Sequence, residues 1–300
     1  MSPSHGIGDY LRPEILHAVG RMDLRARVLA EGFLAGTHRS LSRGFSAEFA
    51  GHRRYVDGEP VRDVDWVVWA RTNRLYVREY RADSSLPGVL VVDASRSMGY
   101  GPGPVTKLSY AVDLAGAIAY IMSRQGDPVG LVGLGGERVT GLRPSARQGQ
   151  LVRVLQSLAA LRAEGNAHFV GSLEGARSYL GRRGIVVLLS DLHPAHDVAR
   201  FARVLSGLRS RRHDVIVFHI LDIDEVHPPF VEPVELEDME TGAVARFDPG
   251  GVEAYRETVE SWRGTLARTC AERGADYVPL DTNMNFGTAL SSYLARRSGH

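Results

Sequence analysis

The spacing of apolar residues changes along the chain near residue 86. Before that point, segment 10–36 has apolar residues at helical spacing, and the segment RLYVREY (74–80) alternates apolar and polar residues as a strand does. The rest of this leading part is too polar to predict a core of its own. We therefore expect residues 1–86 to form an N-terminal helix and strand extension that packs on the following domain.

From residue 87 onward, short apolar runs alternate with helical stretches. The runs predict strands at 88–95, 127–135, 138–144, 184–191, 214–222 and 275–281. The intervening segments predict helices at 107–125, 150–163, 170–183, 197–212, 253–274 and 288–297. The runs VLVV, IVVLL and VIVFHI are continuous rather than alternating, which is typical of strands covered on both faces. Residues 87–300 are thus predicted to be an α/β domain, a doubly wound and mostly parallel sheet with helices on both faces.

One segment interrupts this alternation. Residues 231–250 (VEPVELEDMETGAVARFDPG) contain two short strand-like pieces around a turn at Thr241 and Gly242. They predict a β-hairpin inserted into the α/β domain.

Composition narrows the classes of protein that fit. With 44% hydrophobic residues and a formal net charge of +1, the 300-residue chain can bury a large core and has no overall attraction to nucleic acid or membrane surfaces. Cys270 is the only cysteine, no run of about 18 uncharged apolar residues occurs, and the N-terminus lacks a secretory signal pattern. We expect a soluble cytoplasmic protein with no membrane span. Lys107 is the only lysine among 36 basic residues, which we attribute to base composition.

Candidate chemistry lies at the ends of two predicted strands. Asp93, Ser95 and Ser97 follow VLVV with a spacing of two, and Asp191 ends IVVLLSD. Carboxyl ends of parallel strands share one edge of the sheet, and an all-oxygen cluster suits a hard cation such as Mg²⁺. The alternative is that Asp93 and Ser95 only cap the next turn. The glycine-rich GYGPG that follows matches neither a dinucleotide fingerprint nor a P-loop.

The segments DASRSM and LLSD together resemble the von Willebrand factor A (VWA) domain and its metal-ion-dependent adhesion site. The segment 46–71, which includes GHRRYVDGEPVRDVDWVVWAR, resembles the signature that precedes the A domain in the bacterial DUF58 family. The hairpin and the C-terminal segment also resemble that family, so the resemblance covers roughly residues 40–297.

This resemblance implies a set of metal ligands. Asp93, Ser95 and Ser97 match the first ligand loop, Asp191 matches the last, and the implied ion is Mg²⁺ or Mn²⁺. In VWA domains a threonine adds a further oxygen, but Ala167 stands at that position here, with His168 beside it as a substitute ligand. The missing oxygen is expected to weaken the site.

The resemblance also implies a function. DUF58 proteins of this type are associated with MoxR-type AAA+ ATPases and are thought to act in the assembly or activation of other proteins. We therefore expect a non-enzymatic adaptor whose bound metal takes up a carboxylate of a protein partner. The alternatives are a metal-assisted hydrolase and a structural scaffold with a degenerate metal site.

Several other residues have both a structural and a functional interpretation. His168, His193 and His196 are predicted to lie near the same edge of the sheet and could shift the metal preference toward Mn²⁺ or Zn²⁺, but we favour surface histidines beside a turn for all three. Trp66 and Trp69 belong to either a recognition surface or an internal clasp, and we favour the clasp. Cys270 is predicted to lie in the core.

Overall fold

The structure, a computed structural model, describes residues 26, 30, 49–54, 68–69, 75–80, 86–135, 138–165, 169–192, 197–239, 241–287 and 291. The chain forms two compact units, one of residues 1–33 and 86–300 and the other of residues 34–85. The predicted division into an extension of residues 1–86 and an α/β domain of residues 87–300 stays a prediction. The predicted packing of the extension on the main domain stays a prediction.

The smaller unit contains a two-stranded antiparallel sheet. Strand β1 (Phe49–Arg54) pairs with strand β2 (Tyr76–Tyr80), and the register shifts between Phe49 and Gly51. The alternating segment 74–80 predicted β2, whereas β1 was not predicted.

The larger unit is built on a six-stranded sheet. Its strands are β3 (Gly88–Asp93), β4 (Val129–Gly135), β5 (Arg138–Ser145), β6 (Gly184–Ser190), β7 (His213–Leu221) and β10 (Asp276–Asp281). Their order across the sheet is β10-β7-β6-β3-β4-β5, and every neighbouring pair is parallel except β4 and β5. The predicted α/β class with a mostly parallel sheet is confirmed.

Apolar burial explains the continuous strand runs. Every residue of β3 and β6 is buried, and β7 is buried except at Asp214. These strands occupy the middle of the sheet, where helices on the two faces exclude water from both sides.

The helices of the larger unit follow the strands in the predicted rhythm. In the described part of this unit they are α1 (Lys107–Arg124), α2 (Gln150–Ala159), α3 (Phe169–Gly175), α4 (Val198–Ser210), α6 (Val252–Glu272) and the short α5 (Ile223–Val226), which was not predicted. Thr106 and Ser109 form a reciprocal capping box that fixes the first turn of α1. Asp197 caps α4 by accepting a hydrogen bond from the Arg200 N–H at 3.1 Å.

Two helices are shorter than predicted. The predicted helix at 170–183 is α3 followed by a 3₁₀ turn at Ala176–Ser178, and the chain then passes through Gly181 at a φ of 67°. A positive φ ends a helix, and glycine adopts it at little cost. The predicted helix at 150–163 ends with α2 at Ala159. The predicted helix at 288–297 falls almost entirely outside the described residues.

The inserted hairpin is present as predicted. Strand β8 (Val234–Glu237) pairs antiparallel with β9 (Val244–Phe247), and Gly242 takes a φ of 72° in the turn between them. Most side chains of both strands are exposed, which is unlike the buried strands of the main sheet.

Candidate functional site

The order of strands places one crevice at the centre of the sheet. From β3 the chain continues through β4 and β5 on one side, and then returns to β6 on the other side of β3. In open α/β sheets, ligands bind beyond the carboxyl ends of the strands where the order reverses in this way. Here that position is the pair of strand ends at Asp93 and at Ser190 and Asp191.

The Asp93 carboxylate is fully enclosed by these strand ends. One oxygen accepts a hydrogen bond from the Ser95 N–H at 2.9 Å, and the other accepts one from the Ser190 hydroxyl at 2.6 Å. Burial, followed by the nearby charge of Asp191, raises the pKa of Asp93 to about 7. The first and last predicted ligands therefore lie close enough to repel each other.

The two serines form an adjacent pair of hydroxyl oxygens. Ser95 Oγ and Ser97 Oγ are 3.1 Å apart, and both residues are buried beside a 3₁₀ turn at Arg96–Gly99. The backbone of this loop is anchored from two sides, since the Ala94 N–H donates to the Leu134 carbonyl and the Arg96 N–H to that of Gly165.

A glycine allows the end of β4 to approach this loop. A Cβ atom on Gly135 would lie 2.6 Å from the Ala94 carbonyl oxygen, so no larger residue fits without displacing the loop.

The single lysine of the chain lies in the same site. Lys107, the first residue of α1, is 99% buried, and its Nζ lies 2.8 Å from Asp191 Oδ2 and 2.7 Å from Glu225 Oε1. Burial lowers the pKa of the ammonium, but the two carboxylates outweigh burial and hold that pKa above its ordinary value. Lys107 is therefore a permanent internal cation that occupies one oxygen of Asp191.

Glu225 is fixed by its own helix. It is the third residue of α5, and its second carboxylate oxygen accepts the Asp222 N–H at 2.7 Å in a capping box. Burial raises the pKa of Glu225, and Lys107 opposes this effect. Two carboxylates, those of Asp191 and Glu225, thus face one ammonium, and Asp93 lies near Asp191, so the site has excess negative charge when all three are ionised.

A neutral histidine holds Asp191 from behind. His219 Nε2 lies 2.8 Å from the Asp191 carbonyl oxygen, and His219 Nδ1 lies 2.6 Å from the Tyr277 hydroxyl. Burial, followed by the charge of Arg263, lowers the pKa of His219 to about 3. With both ring nitrogens engaged, His219 positions the backbone of β6 and is not available as a general base.

The donor set fits a hard divalent cation in part. Two oxygens bound side by side to an octahedral Mg²⁺ at about 2.1 Å are roughly 3 Å apart, which is close to the separation of the Ser95 and Ser97 hydroxyls. The Asp93 carboxylate and the excess negative charge also favour a cation. Asp191 fits less well as a direct ligand, because Lys107 holds one of its oxygens. In the part of the chain that the structure describes, no three His, Cys, Asp or Glu side chains converge as ligands.

The structure describes four of the predicted site residues and places them close together. Asp93, Ser95, Ser97 and Asp191 meet at one edge of the sheet. Ala167, His168, His193 and His196 lie outside the described residues. Their predicted roles, including the missing threonine oxygen at Ala167, stay predictions.

Sequence reasoning missed three residues of the site: Ser190, Lys107 and Glu225. Ser190 belongs to the LLSD segment, but it directly precedes Asp191 and does not follow the two-residue spacing that drew attention to Ser95 and Ser97. Lys107 carried a usable signal, since one lysine among 35 arginines indicates a place where a guanidinium does not fit. Glu225 shows no signal in the sequence, because only the fold brings α5 to the start of α1.

Comparison with known proteins identifies a family and several relatives. Residues 51–263 match the family described as "Protein of unknown function DUF58". Uncharacterized proteins of Mycobacterium tuberculosis and Mycobacterium bovis are each 30% identical over 302 aligned positions, covering 98% of this chain and 93% of theirs.

Two solved structures are similar in fold at lower sequence identity than these relatives. The conserved hypothetical protein BatB from Bacteroides thetaiotaomicron is 14% identical with a TM-score of 0.47, covering 72% of this chain and 100% of that one. The SpRpn10 VWA domain is 13% identical with a TM-score of 0.45, covering 68% and 94%.

None of the helices among the described residues has the length and apolar character needed to cross a bilayer.

The match to the family extends over more than half of the chain, and relatives at 30% identity align over nearly all of it. The chain therefore belongs to the DUF58 family.

Proposed function

We propose that this protein is a non-enzymatic interaction module that binds a carboxylate of a protein partner through a divalent cation. The observation that carries the proposal is the Ser95–Ser97 hydroxyl pair beside the buried Asp93 carboxylate, at the edge of the sheet where the strand order reverses.

Asp93, Ser95 and Ser97 would hold Mg²⁺ or Mn²⁺, and the ion would supply an open coordination position for the partner's Asp or Glu. The chain prepares this donor set before any ion binds. Ser190 holds one oxygen of Asp93, and the Ser95 N–H holds the other. Fixed donors lose little conformational entropy on binding, which favours affinity.

Lys107 has a separate role in this proposal. Its ammonium offsets part of the negative charge of Asp191 and Glu225, so that these carboxylates do not repel an incoming carboxylate of the partner as strongly. The partner would then meet a cation at the serine pair and a reduced negative charge behind it.

The choice of a binding module over a hydrolase is supported by His219. This imidazole is held between Asp191 and Tyr277, and its lowered pKa keeps it neutral and engaged. The proposed partner is a MoxR-type AAA+ ATPase, which would act with this protein to assemble or activate a client protein in the cytoplasm. The support for this partner, client and location is the sequence resemblance.

A second candidate is a scaffold whose site holds no metal. The Lys107–Asp191 contact of 2.8 Å favours it, because a resident ammonium already supplies positive charge to the last predicted ligand. Metal binding separates the two candidates.

The test is calorimetric titration of the protein with Mg²⁺ and with Mn²⁺. We compare the natural chain, the variant S95A/S97A and the control S206A, whose hydroxyl bonds the Ala202 carbonyl within α4. Binding by the natural chain and by S206A, with at least a tenfold loss in S95A/S97A, supports the metal site. No heat of binding with either ion, in a folded protein, supports the scaffold.

Partner capture provides the functional test. The natural chain and S95A/S97A are each tested for capture of a MoxR-type AAA+ ATPase from the same organism, in Mg²⁺ and in EDTA. We expect capture only by the natural chain in Mg²⁺. Equal capture under all four conditions would remove the metal from the mechanism.

A further inference from the structure

A cavity lies beside the serine pair, under the inserted hairpin. It has a volume of about 190 Å³ and extends from Ser97 to the side chains of β8 and β9. We call it the hairpin cavity. It is smaller than the roughly 300–1,000 Å³ typical of small-molecule pockets, so its size suits a single side chain.

Aromatic rings form one wall of the hairpin cavity. Phe247 meets Phe230 on one side and Tyr255 on the other, each edge to face with ring centroids 5.8 Å apart. Tyr100 also lines the cavity. Ring faces attract cations through their quadrupole, so such a wall is suited to a flat cationic group.

Carboxylates form the rest of the lining. Asp224, Glu225, Glu237 and Asp238 all line the hairpin cavity, and none of the described residues that line it is a lysine or an arginine. Glu225 is paired with Lys107, whereas Asp224 and Glu237 form no ion pair among the described residues. Burial, and then the charge of Glu225, raises the pKa of both Tyr100 and Tyr255, which is the effect expected in a negative field.

The hairpin segment that covers the cavity exposes apolar side chains. Leu236 (39% exposed) and Met239 (36%) line the cavity, and Val231 (88%) and Val244 (63%) lie on the same segment of the chain. A patch of this kind beside a charged cavity is typical of a surface that meets another protein, with the cavity receiving one anchoring residue.

We propose that the hairpin cavity binds an arginine side chain of a protein partner. The planar guanidinium can stack on an aromatic ring while its N–H groups donate to carboxylates in the plane of the group, whereas a lysine ammonium is a compact, strongly hydrated charge that cannot stack in this way. The inference goes beyond the proposed metal-dependent function and does not depend on it, since no carboxylate or ring that it uses, other than Glu225, belongs to the metal site.

The experiment uses the full chain in EDTA and the peptide acetyl-Gly-Arg-Gly-amide as the probe. The matched control peptide contains citrulline, which has the shape of arginine without its charge. We expect the arginine peptide to bind at least tenfold more tightly than the citrulline peptide, measured by calorimetry or by shifts of NMR signals. Equal affinity for the two peptides, or no binding of either, would overturn the proposal.

Variants assign the binding to this cavity. D224N/E237Q keeps the shape of both side chains and is expected to weaken arginine binding at least tenfold. The control E272Q removes the same kind of charge from α6, roughly 25 Å along the helix from Tyr255, and is expected to have no effect. Unchanged binding by a correctly folded D224N/E237Q would place the arginine elsewhere and contradict the proposal.

Two further outcomes distinguish this proposal from the proposed metal site and from self-association of the chain. S95A/S97A should retain arginine binding, so a failed metal site leaves the result intact. Concentration-dependent self-association that D224N/E237Q abolishes would show that a second copy of this chain fills the cavity, against the partner proposed here.

Discussion

Asp93 is held in a position that disfavours its own charge. Its carboxylate is buried against Asp191, and its pKa is raised to about 7. When the pKa of an acid is higher in the folded than in the unfolded protein, the free energy of unfolding falls as the pH rises from the unfolded-state pKa through the folded-state pKa. The metal-free protein is therefore expected to be stabilised by Asp93 protonation at pH 5 and to lose that contribution by pH 8.

The variant D93N tests this expectation. Asparagine has the shape of the protonated acid, accepts the Ser95 N–H and removes the buried charge. In EDTA at pH 8 we expect D93N to be more stable than the natural chain by an amount on the order of a few kcal/mol, shrinking toward pH 5. Urea unfolding at pH 5, 6.5 and 8 measures the difference. A D93N variant less stable than the natural chain at pH 8 would contradict the raised pKa.

Lys107 is the residue whose loss should cost most. Removing the ammonium in K107M leaves Asp191 and Glu225 without their cation in a buried site, and breaking such a pair costs about 3–5 kcal/mol. K107R keeps the charge but adds volume at a fully buried position, with an expected cost of about 1–3 kcal/mol. Urea unfolding at pH 7 ranks the variants.

The control for this series is R124M. Arg124 is exposed at the other end of α1, so its replacement should change stability by less than about 0.5 kcal/mol. A double variant K107M/E225Q should recover part of the loss, because one unpaired carboxylate is gone. No recovery in the double variant would mean that Lys107 acts through packing alone.

At the scale of elements, the start of α1 determines where Lys107 lies. The Ser109 N–H donates to Thr106 Oγ1 at 3.1 Å, and the Thr106 N–H donates to Ser109 Oγ at 2.9 Å. This box fixes the first turn of α1, and with it the direction in which Lys107 leaves the helix.

T106A removes the threonine half of this cap. We expect a loss of about 0.5–2 kcal/mol in the free energy of unfolding, the range measured for helix N-caps. T258A is the matched control, because its hydroxyl bonds only the Ala254 carbonyl within the exposed face of α6. Equal losses in the two variants, measured by urea unfolding, would show that the capping box contributes nothing specific.

Element types were predictable where the periodicity was strong. The buried runs of β3, β6 and β7 and the long helices α1 and α6 were all predicted, because burial on two faces or along one stripe leaves a pattern in the sequence. Strand β1 was missed and α3 was overextended. Short elements have too few residues to establish a period, and their ends depend on single backbone conformations such as that of Gly181.

At the scale of the whole molecule, Cys270 reports on the integrity of the main core. It is fully buried on α6, among the side chains of α4 and the central strands. Burial, followed by the charge of Asp276, raises the pKa of its thiol to about 12. A thiol attacks reagents only as the thiolate, so the native protein should be almost inert to them.

The prediction is that a disulfide-exchange reagent labels Cys270 at pH 8 only after the larger unit opens. Labelling measured against urea concentration should follow the unfolding curve obtained by circular dichroism. C270S serves as the blank, since it has no thiol. Rapid labelling without urea would show that α6 detaches from the sheet locally, well before the core unfolds.

The sequence by itself determined the α/β class, the inserted hairpin, the order of most elements and the strand-end placement of Asp93, Ser95, Ser97 and Asp191. These features depend on local periodicity and on the rule that parallel strands share a carboxyl edge. Only the tertiary structure decided that Lys107 and Glu225 join the site and that aromatic and acidic side chains enclose a cavity under the hairpin. Lys107 and Glu225, for example, are more than a hundred positions apart in the sequence. No local pattern in the sequence indicates which distant side chains will come into contact.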